Sequence, residues 1–449
     1  MAIKIFTTRK ENDENIIYGI IQQSISKYYK KKHKENVEWF YYSSLIDAKY
    51  LFPWLAIPRI IAFFFLSFFN KHYWLNYKYN NINIGRYAMS ATFRDADTLF
   101  KRNKYYLLTL INAFKGIALI HRIERLNQNF DAFYIDHGMY LNGIFIEYAS
   151  QKNKSIFTND YPYGLTHRST FKKISFEDLI KIPFNNLQKS ICSDKDGLIK
   201  DIPYMSKISE TDNEINYKEI EVVVYAHSFT DGQVLFGPND AYINMYDWIF
   251  DVCEILSRSD KKVLIKGHPN FFSERASTCI EADKKIFNTL IEKYKTNLNF
   301  YFINKPIANE NILNSINKNT VLVSHHGNAL IEGGILGFKC ISSNNSLWKY
   351  FFHFNEFTTK EELSAMLLMH YFDLDAKPKK DAIFNYLCAL KSSDFSYYSK
   401  KSWHSIIAKN IGVSPYDFMA NPKIVEGTNL EIVNKIVDEV SDSIHYIKN

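Results

Sequence analysis

Three short stretches in the second half of the chain decide its fold: residues 220–225 (IEVVVY), 262–266 (KVLIK) and 320–324 (TVLVS). Each is a mostly apolar, β-branched run, the pattern of a strand covered on both faces. Helical periodicity fills the spaces between them, over 246–257 and 280–293, with a further strand at 299–303. A helix over 328–336 follows the third stretch, with Gly337 placed to cap its C-terminus, and a strand at 339–342 comes next. Strands alternating with helices specify a parallel, doubly wound sheet. Right-handed crossovers then bring the carboxyl ends of the strands to one edge.

That edge is where ligands bind in open α/β sheets, so the residues after each strand matter. The first strand runs into Ala226-His227-Ser228-Phe229-Thr230-Asp231-Gly232, the second into Gly267-His268-Pro269-Asn270, and the third into His325-His326-Gly327-Asn328. A histidine-bearing polar loop thus follows each. The third leads straight into a helix, whose first-turn N–H groups and positive dipole end suit a phosphate, and Gly327 allows close backbone approach. Glu332 lies one helical turn beyond Asn328, where a carboxylate can accept from ribose hydroxyls. In the second loop His268 sits beside Pro269, which fixes the backbone. Its imidazole is suited to donate to a departing phosphate, with Lys266 adding charge. In the first loop His227, Ser228 and Asp231 are further candidates, and Ser228 or Asp231 serves equally as a cap for the next segment.

The remainder of the chain is less regular. At 449 residues and 46% apolar content, two domains are expected. In the first half, a strand is read near Ile3, Ile5 and Phe6, a helix over 107–123, a strand at 132–135, a helix over 142–150 and a strand at 155–158. The polar stretch 188–217 reads as a linker or as an acceptor-facing excursion just before the second domain, and 379–449 as mostly helical. The expected division is 1–200, 201–380 and a helical segment 381–449. A formal charge of +7 over this length is not the footprint of a nucleic-acid binder. Five cysteines without a C-x-x-C pair fit a reducing cytosol and exclude a disulfide framework.

Two features bear on membranes. Lys27, Lys30, Lys31, Lys32 and Lys34 form a basic run, read either as a solvated helix end or as a contact for anionic head groups. Residues 51–69 are long and apolar, but Pro53, Pro58 and Arg59 interrupt them. An interfacial or buried helix over 58–69 is favoured over a span.

The HSFTDG loop (227–232), the KGHP loop (266–269) and SHHGNALIEGGILG (324–337), in this order and spacing, resemble bacterial capsule-type polysaccharide biosynthesis proteins, among them the Kdo transferases. The KGHP loop also resembles that of bacterial sialyltransferases that use CMP-sugars. The resemblance covers residues 220–345. It implies a GT-B-like α/β fold: two facing Rossmann-like domains, acceptor in the first and nucleotide-sugar donor in the second. It implies a glycosyltransferase that moves a Kdo- or nonulosonate-type acid from a CMP-sugar onto a glycan or glycolipid of capsule, O-antigen or lipopolysaccharide, with no metal or other cofactor. Separately from the resemblance, the cysteine pattern, the basic run and the apolar stretch read together as a cytoplasmic protein attached at the inner leaflet. By position, Lys266, Gly267, His268 and Pro269 hold the nucleotide phosphate, Ser324, His325, His326, Gly327 and Asn328 line it, and Glu332 meets the ribose. The sialyltransferases carry an acidic pair before a glycine in the first domain. The nearest match here is Tyr134-Ile135-Asp136-His137-Gly138, with one carboxylate. Asp136 is the candidate general base on the acceptor hydroxyl, His137 the alternative, and Glu147 and Asp160 more remote ones.

Other patterns carry less. Asp95-Ala96-Asp97 and Asp373-Leu374-Asp375 match a metal-binding D-x-D but follow no clear strand. Arg86, after the short strand-like NINI (81–84), reads as a structural ion pair more readily than as a contact for an acidic acceptor. A metal-dependent hydrolase using His227, Asp231, His268, His325 and His326 is one alternative, although these lack compact ligand spacing. A nucleotide-sugar epimerase on the same fold and a non-catalytic assembly component are others.

Overall fold

The computed structural model describes residues 2–8, 15–41, 61, 65, 75–94, 102–125, 129–135, 140–160, 164–168, 215–230, 241–242, 244–268, 271, 278–305, 307–327, 329–344, 355–374, 402–413, 418 and 421–447. In chain order the first unit contains β1 (Ile3–Thr7), α1 (Ile16–His33), β2 (Val37–Tyr41) and the hairpin β3 (Lys78–Tyr79) and β4 (Ile82–Asn83). Then come α2 (Gly85–Phe93), α3 (Arg102–Arg125), β5 (Ala132–Ile135), α4 (Gly143–Gln151), β6 (Ser155–Asp160) and β7 (Gly164–Arg168). The second unit runs through β8 (Val222–Tyr225), α5 (Met245–Leu256), β9 (Val263–Lys266), α6 (Thr278–Tyr294), β10 (Phe300–Ile303) and α7 (Asn309–Ser315). It continues with β11 (Val321–Val323), α8 (Ala329–Ile335), β12 (Lys339–Ser343), β13 (Asn355–Phe357) and α9 (Lys360–Leu368). The chain closes with α10 (Trp403–Asn410), α11 (Leu430–Ser443) and β14 (His445–Ile447).

The second sheet has the order β10-β9-β8-β11-β12-β13, and every neighbouring pair is parallel. Counted from its first strand this is 3-2-1-4-5-6, the doubly wound order whose direction reverses between the first and fourth strands. Here those are β8 and β11. Alternation along β8 explains its apolar run: Val222 and Val224 join the core under α5, α6 and α9, while Val223 and Tyr225 join the core under α7 and α8. Local capping supports the helices. The Asn244 side chain accepts from Asp247 N–H at the start of α5, and Thr359 with Glu362 closes a capping box on α9.

The first sheet has the order β14-β7-β6-β5-β1-β2, parallel except for the β6–β7 pair. Phe6, Phe133, Ile135 and Ile156 face the core shared with α2, α3 and α4, and Ile5, Ala132, Tyr134 and Phe157 face the other way. That second face is covered by α1 together with α10 and α11. The C-terminal segment is therefore helical as read, and it also adds β14 to the first sheet beside β7. A three-residue strand is too short to carry a period that can be read from sequence. The protein is thus mixed α/β, with two largely parallel six-stranded sheets and a helical C-terminal segment.

The basic run acquires a definite role. Lys27 and Lys31 pair with Asp438 and Asp442 of α11, and the Lys32 ammonium lies 5.1 Å from the Tyr28 ring centroid and 5.2 Å from that of Tyr446. Much of the run is thus a contact between α1 and the chain's end. The linker reading over 188–214 lies outside the described residues, as does the apolar stretch except for Ile61 and Phe65. These two are helical and exposed. Among the described residues no helix is long and apolar enough to cross a membrane.

Candidate functional site at the switch point of the second sheet

The loops leaving β8, β9 and β11 converge where the strand order reverses. The His227 ring centroid lies 4.2 Å from that of His326 and 5.4 Å from that of His268. Imidazoles from three separate strand ends therefore share one place, although 99 residues separate His227 from His326 in the chain. Parallel pairing causes this: Val224 stands beside Ile265 in one direction and Val323 in the other, so the residues just beyond each strand are neighbours.

Ser324 ties the junction together. Its hydroxyl donates to the Tyr225 carbonyl at 3.2 Å and accepts the Gly327 N–H at 3.1 Å. A Cβ on Gly327 would stand 2.6 Å from that hydroxyl, so glycine is required here by a close approach within the loop itself. Ser228 is likewise committed inside the fold: its hydroxyl donates to Asp283 at 2.6 Å, and the Phe229 N–H donates to the same carboxylate at 2.9 Å. Asp283, buried on α6, is thus the group that holds the first loop, and sequence reading missed it. The signal was there. Asp283 falls on the apolar stripe with Ile286, Phe287 and Leu290, where a carboxylate needs partners inside the protein.

Electrostatically, burial keeps His268 and His326 from taking up a proton. Burial, then the charges of His227 and Lys266, push His268 down to about 3. Burial and the neighbouring histidines hold His326 well below its ordinary value. His325 faces the core instead: its ring packs against Trp248 and Phe357, and its Nδ1 lies 2.6 Å from that of His326. One of those two nitrogens must carry the proton and the other accept it. Behind the loops, the Glu332 carboxylate is only 2% exposed and accepts from the Asn309 amide at 2.5 Å. Burial raises Glu332 and lowers Lys266, and each partly offsets the other's shift.

The structure therefore brings His227, His268 and His326 together with Lys266, Gly267, Ser324 and Gly327 around them, and turns His325 and Ser228 inward. Asp231, Pro269, Asn328, Asp136 and His137 lie outside the described residues. Glu147 accepts from the Asn83 N–H at 2.6 Å, which gives its carboxylate a structural use. Among the described residues no group of three or more His, Cys, Asp or Glu is arranged to hold a metal ion.

No family model matches the chain, and neither does any curated protein. Among solved structures it is similar to the beta-Kdo 2,4 transferase KpsC of Thermosulfurimonas dismutans, at 11% identity over 57% of this chain and 79% of that one, with a TM-score of 0.35. It is also similar to the UDP-GlcNAc 2-epimerase of Methanocaldococcus jannaschii, solved with UDP-GlcNAc and UDP, at 14% identity over 86% and 98%, with a TM-score of 0.26. A protein of Listeria monocytogenes assigned as a UDP-N-acetylglucosamine 2-epimerase matches at 10% identity over 92% and 97%, with a TM-score of 0.27. Likenesses this shallow carry neither family nor activity to this chain; the case for a site rests on its own strand order and on the imidazoles gathered at the reversal between β8 and β11.

Proposed function

We propose that the protein is a glycosyltransferase that takes an acidic keto sugar from a CMP-sugar and places it on a surface glycan or glycolipid, with the second unit holding the donor. The observation that carries this reading is the meeting of His227, His268 and His326 at the switch point of a 3-2-1-4-5-6 sheet. That is the position at which doubly wound sheets hold nucleotides. Imidazoles there can donate to a nucleotide phosphate and stabilise the charge that develops as it leaves. His268 is the residue proposed to take that role, with Lys266 supplying positive charge. Asp136, with His137 as the alternative, is proposed as the base on the acceptor hydroxyl in the first unit, in an inverting displacement that needs no metal. The apolar stretch 51–69 is proposed to rest at the inner face of the membrane, bringing the enzyme to its acceptor.

Thermal unfolding with added nucleotide tests the donor assignment. CMP is expected to raise the melting temperature more than UDP or GDP does, because ligand that binds only the folded state stabilises it by mass action. Equal shifts, or none, remove CMP as the nucleotide. Release of CMP from a CMP-sugar without any acceptor would point to an epimerase or hydrolase instead.

A further inference from the structure

The ion pair expected for Arg86 is absent among the described residues. Arg86 lies in the first turn of α2, is 9% exposed, and its buried Nε has no hydrogen-bond partner. Ser90, one turn further along the same helix face, is 2% exposed, and its hydroxyl is also without a partner. The carboxylate of Glu147, on the neighbouring α4, is taken by the Asn83 N–H and makes no ion pair with Arg86. A guanidinium has five donors and keeps its charge at any physiological pH. Burying one without an anion is costly, and buried polar atoms without partners are few in folded proteins. Such broken local rules are expected at functional sites, and a bound anion would satisfy both groups at once.

The position of α2 says which ligand. The helix packs against Tyr140–Asn142, the turn that follows directly on the loop at the carboxyl end of β5. Tyr87 lies against Gly143, where a Cβ would meet its ring at 2.0 Å, and the Arg94 guanidinium sits 4.4 Å above the Tyr140 ring. Helix α2 therefore runs beside the edge from which the first sheet's loops emerge, the counterpart of the edge that carries the imidazoles in the second. Arg86, Ser90 and Arg94 follow one another at four-residue spacing along it.

We propose that Arg86 and Ser90 form an oxyanion subsite in the first unit that takes a carboxylate or phosphate group carried by the acceptor. The word acceptor rests on the glycosyltransferase reading; the anion site itself does not. A planar guanidinium binds either group through two parallel hydrogen bonds, and a hydroxyl one turn away supplies a third donor.

Thermal unfolding of the full chain, saturated with CMP to occupy the nucleotide site, tests it with sodium phosphate and sodium glucuronate at constant ionic strength. One of the two is expected to give a saturable rise of about 2 °C or more; phosphate identifies a phosphate-bearing acceptor, glucuronate a carboxylate-bearing one. Arg86→Met keeps the alkyl stem and is expected to abolish the rise while melting no lower than the wild type in anion-free buffer. Arg86→Lys is expected to keep part of it. An unchanged rise in Arg86→Met overturns the proposal, as does the absence of any rise in the wild type. A sharply lower melting temperature of Arg86→Met without anion also overturns it, because the guanidinium is then satisfied inside the fold. Failure of CMP itself to shift the wild type removes the CMP assignment and leaves the anion response to be judged by Arg86→Met alone.

Discussion

Histidines in this protein stand in two kinds of place, and for different ends. His227, His268 and His326 stand on loops at the ligand edge of the second sheet. His167 stands inside β7 of the first, stacked on Phe157 with ring centroids 4.2 Å apart and hydrogen-bonded to the Tyr28 hydroxyl at 3.1 Å. His404, in α10, stacks on Trp403 with centroids 3.4 Å apart. Burial pushes His167 and His404 down to about 3, as it does His268. A shifted imidazole therefore does not mark a site here. The distinction lies in what carries the ring. Regular elements hold His167 and His404 among aromatic neighbours, as packing residues, whereas strand ends bring the other three together with Lys266 and leave them facing one another.

The sharpest way to break this comparison is to remove one ring from each set. His268→Ala is expected to lower transfer by about 100-fold or more while leaving the melting temperature nearly unchanged, read as CMP release with acceptor present. Full activity in that variant would remove His268 from the mechanism. His167→Ala is expected to do the reverse, costing about 2–4 kcal/mol of stability through the lost stacking and the cavity left behind, with activity per folded molecule unchanged. Loss of activity at full stability would place His167 among the functional residues after all.

Two smaller effects sharpen the account of the site's scaffold. Asp283→Ala leaves the Ser228 hydroxyl and the Phe229 N–H without their acceptor and is expected to cost about 1–3 kcal/mol, with weaker CMP binding because the loop bearing His227 is no longer held. Unaltered CMP affinity at reduced stability would confine Asp283 to folding. Gly327→Ala forces a methyl against the Ser324 hydroxyl and is expected to weaken CMP by about 1 kcal/mol. Ser324→Ala in the same chain should return part of that loss, and a strictly additive double variant would argue against the clash.

A further expected effect is on pH. An unfolded imidazole titrates near about 6.5, while folded His167, His268 and His404 titrate near 3. Between those values the unfolded chain binds protons that the folded chain refuses. Stability is therefore whole above about pH 6.5 and falls as the pH drops toward 3. Replacing His167 and His404 with phenylalanine should flatten that fall. At the ligand edge the sign reverses for binding, because a bound phosphate favours the imidazolium and raises His268 from its folded value of about 3. CMP affinity is expected to rise as the pH falls through that raised value toward 3, with calorimetry in buffers of different ionisation enthalpy showing proton uptake. Buffer-independent heats would show that the cluster stays neutral.

Much of the second sheet was legible because its strands are buried on both faces: IEVVVY, KVLIK and TVLVS are short, β-branched apolar runs bounded by polar loops, and the histidine after each follows from reading the next few letters. The observed strands depart from those readings by only a residue or two at their ends. The first sheet was legible only in part, since β2, β7 and β14 are short or amphipathic and have no long apolar period. What sequence could not supply was adjacency. That β14 closes the first sheet, that Lys27 and Lys31 meet Asp438 and Asp442, and that Asp283 holds the first loop are all matters of which elements pack together. The chain's local pattern decides which segments become strands and helices, because periodicity and capping act over a few residues. Strand order, and with it the convergence of three distant imidazoles and the burial of an unpaired Arg86, is decided only when the apolar faces find one another.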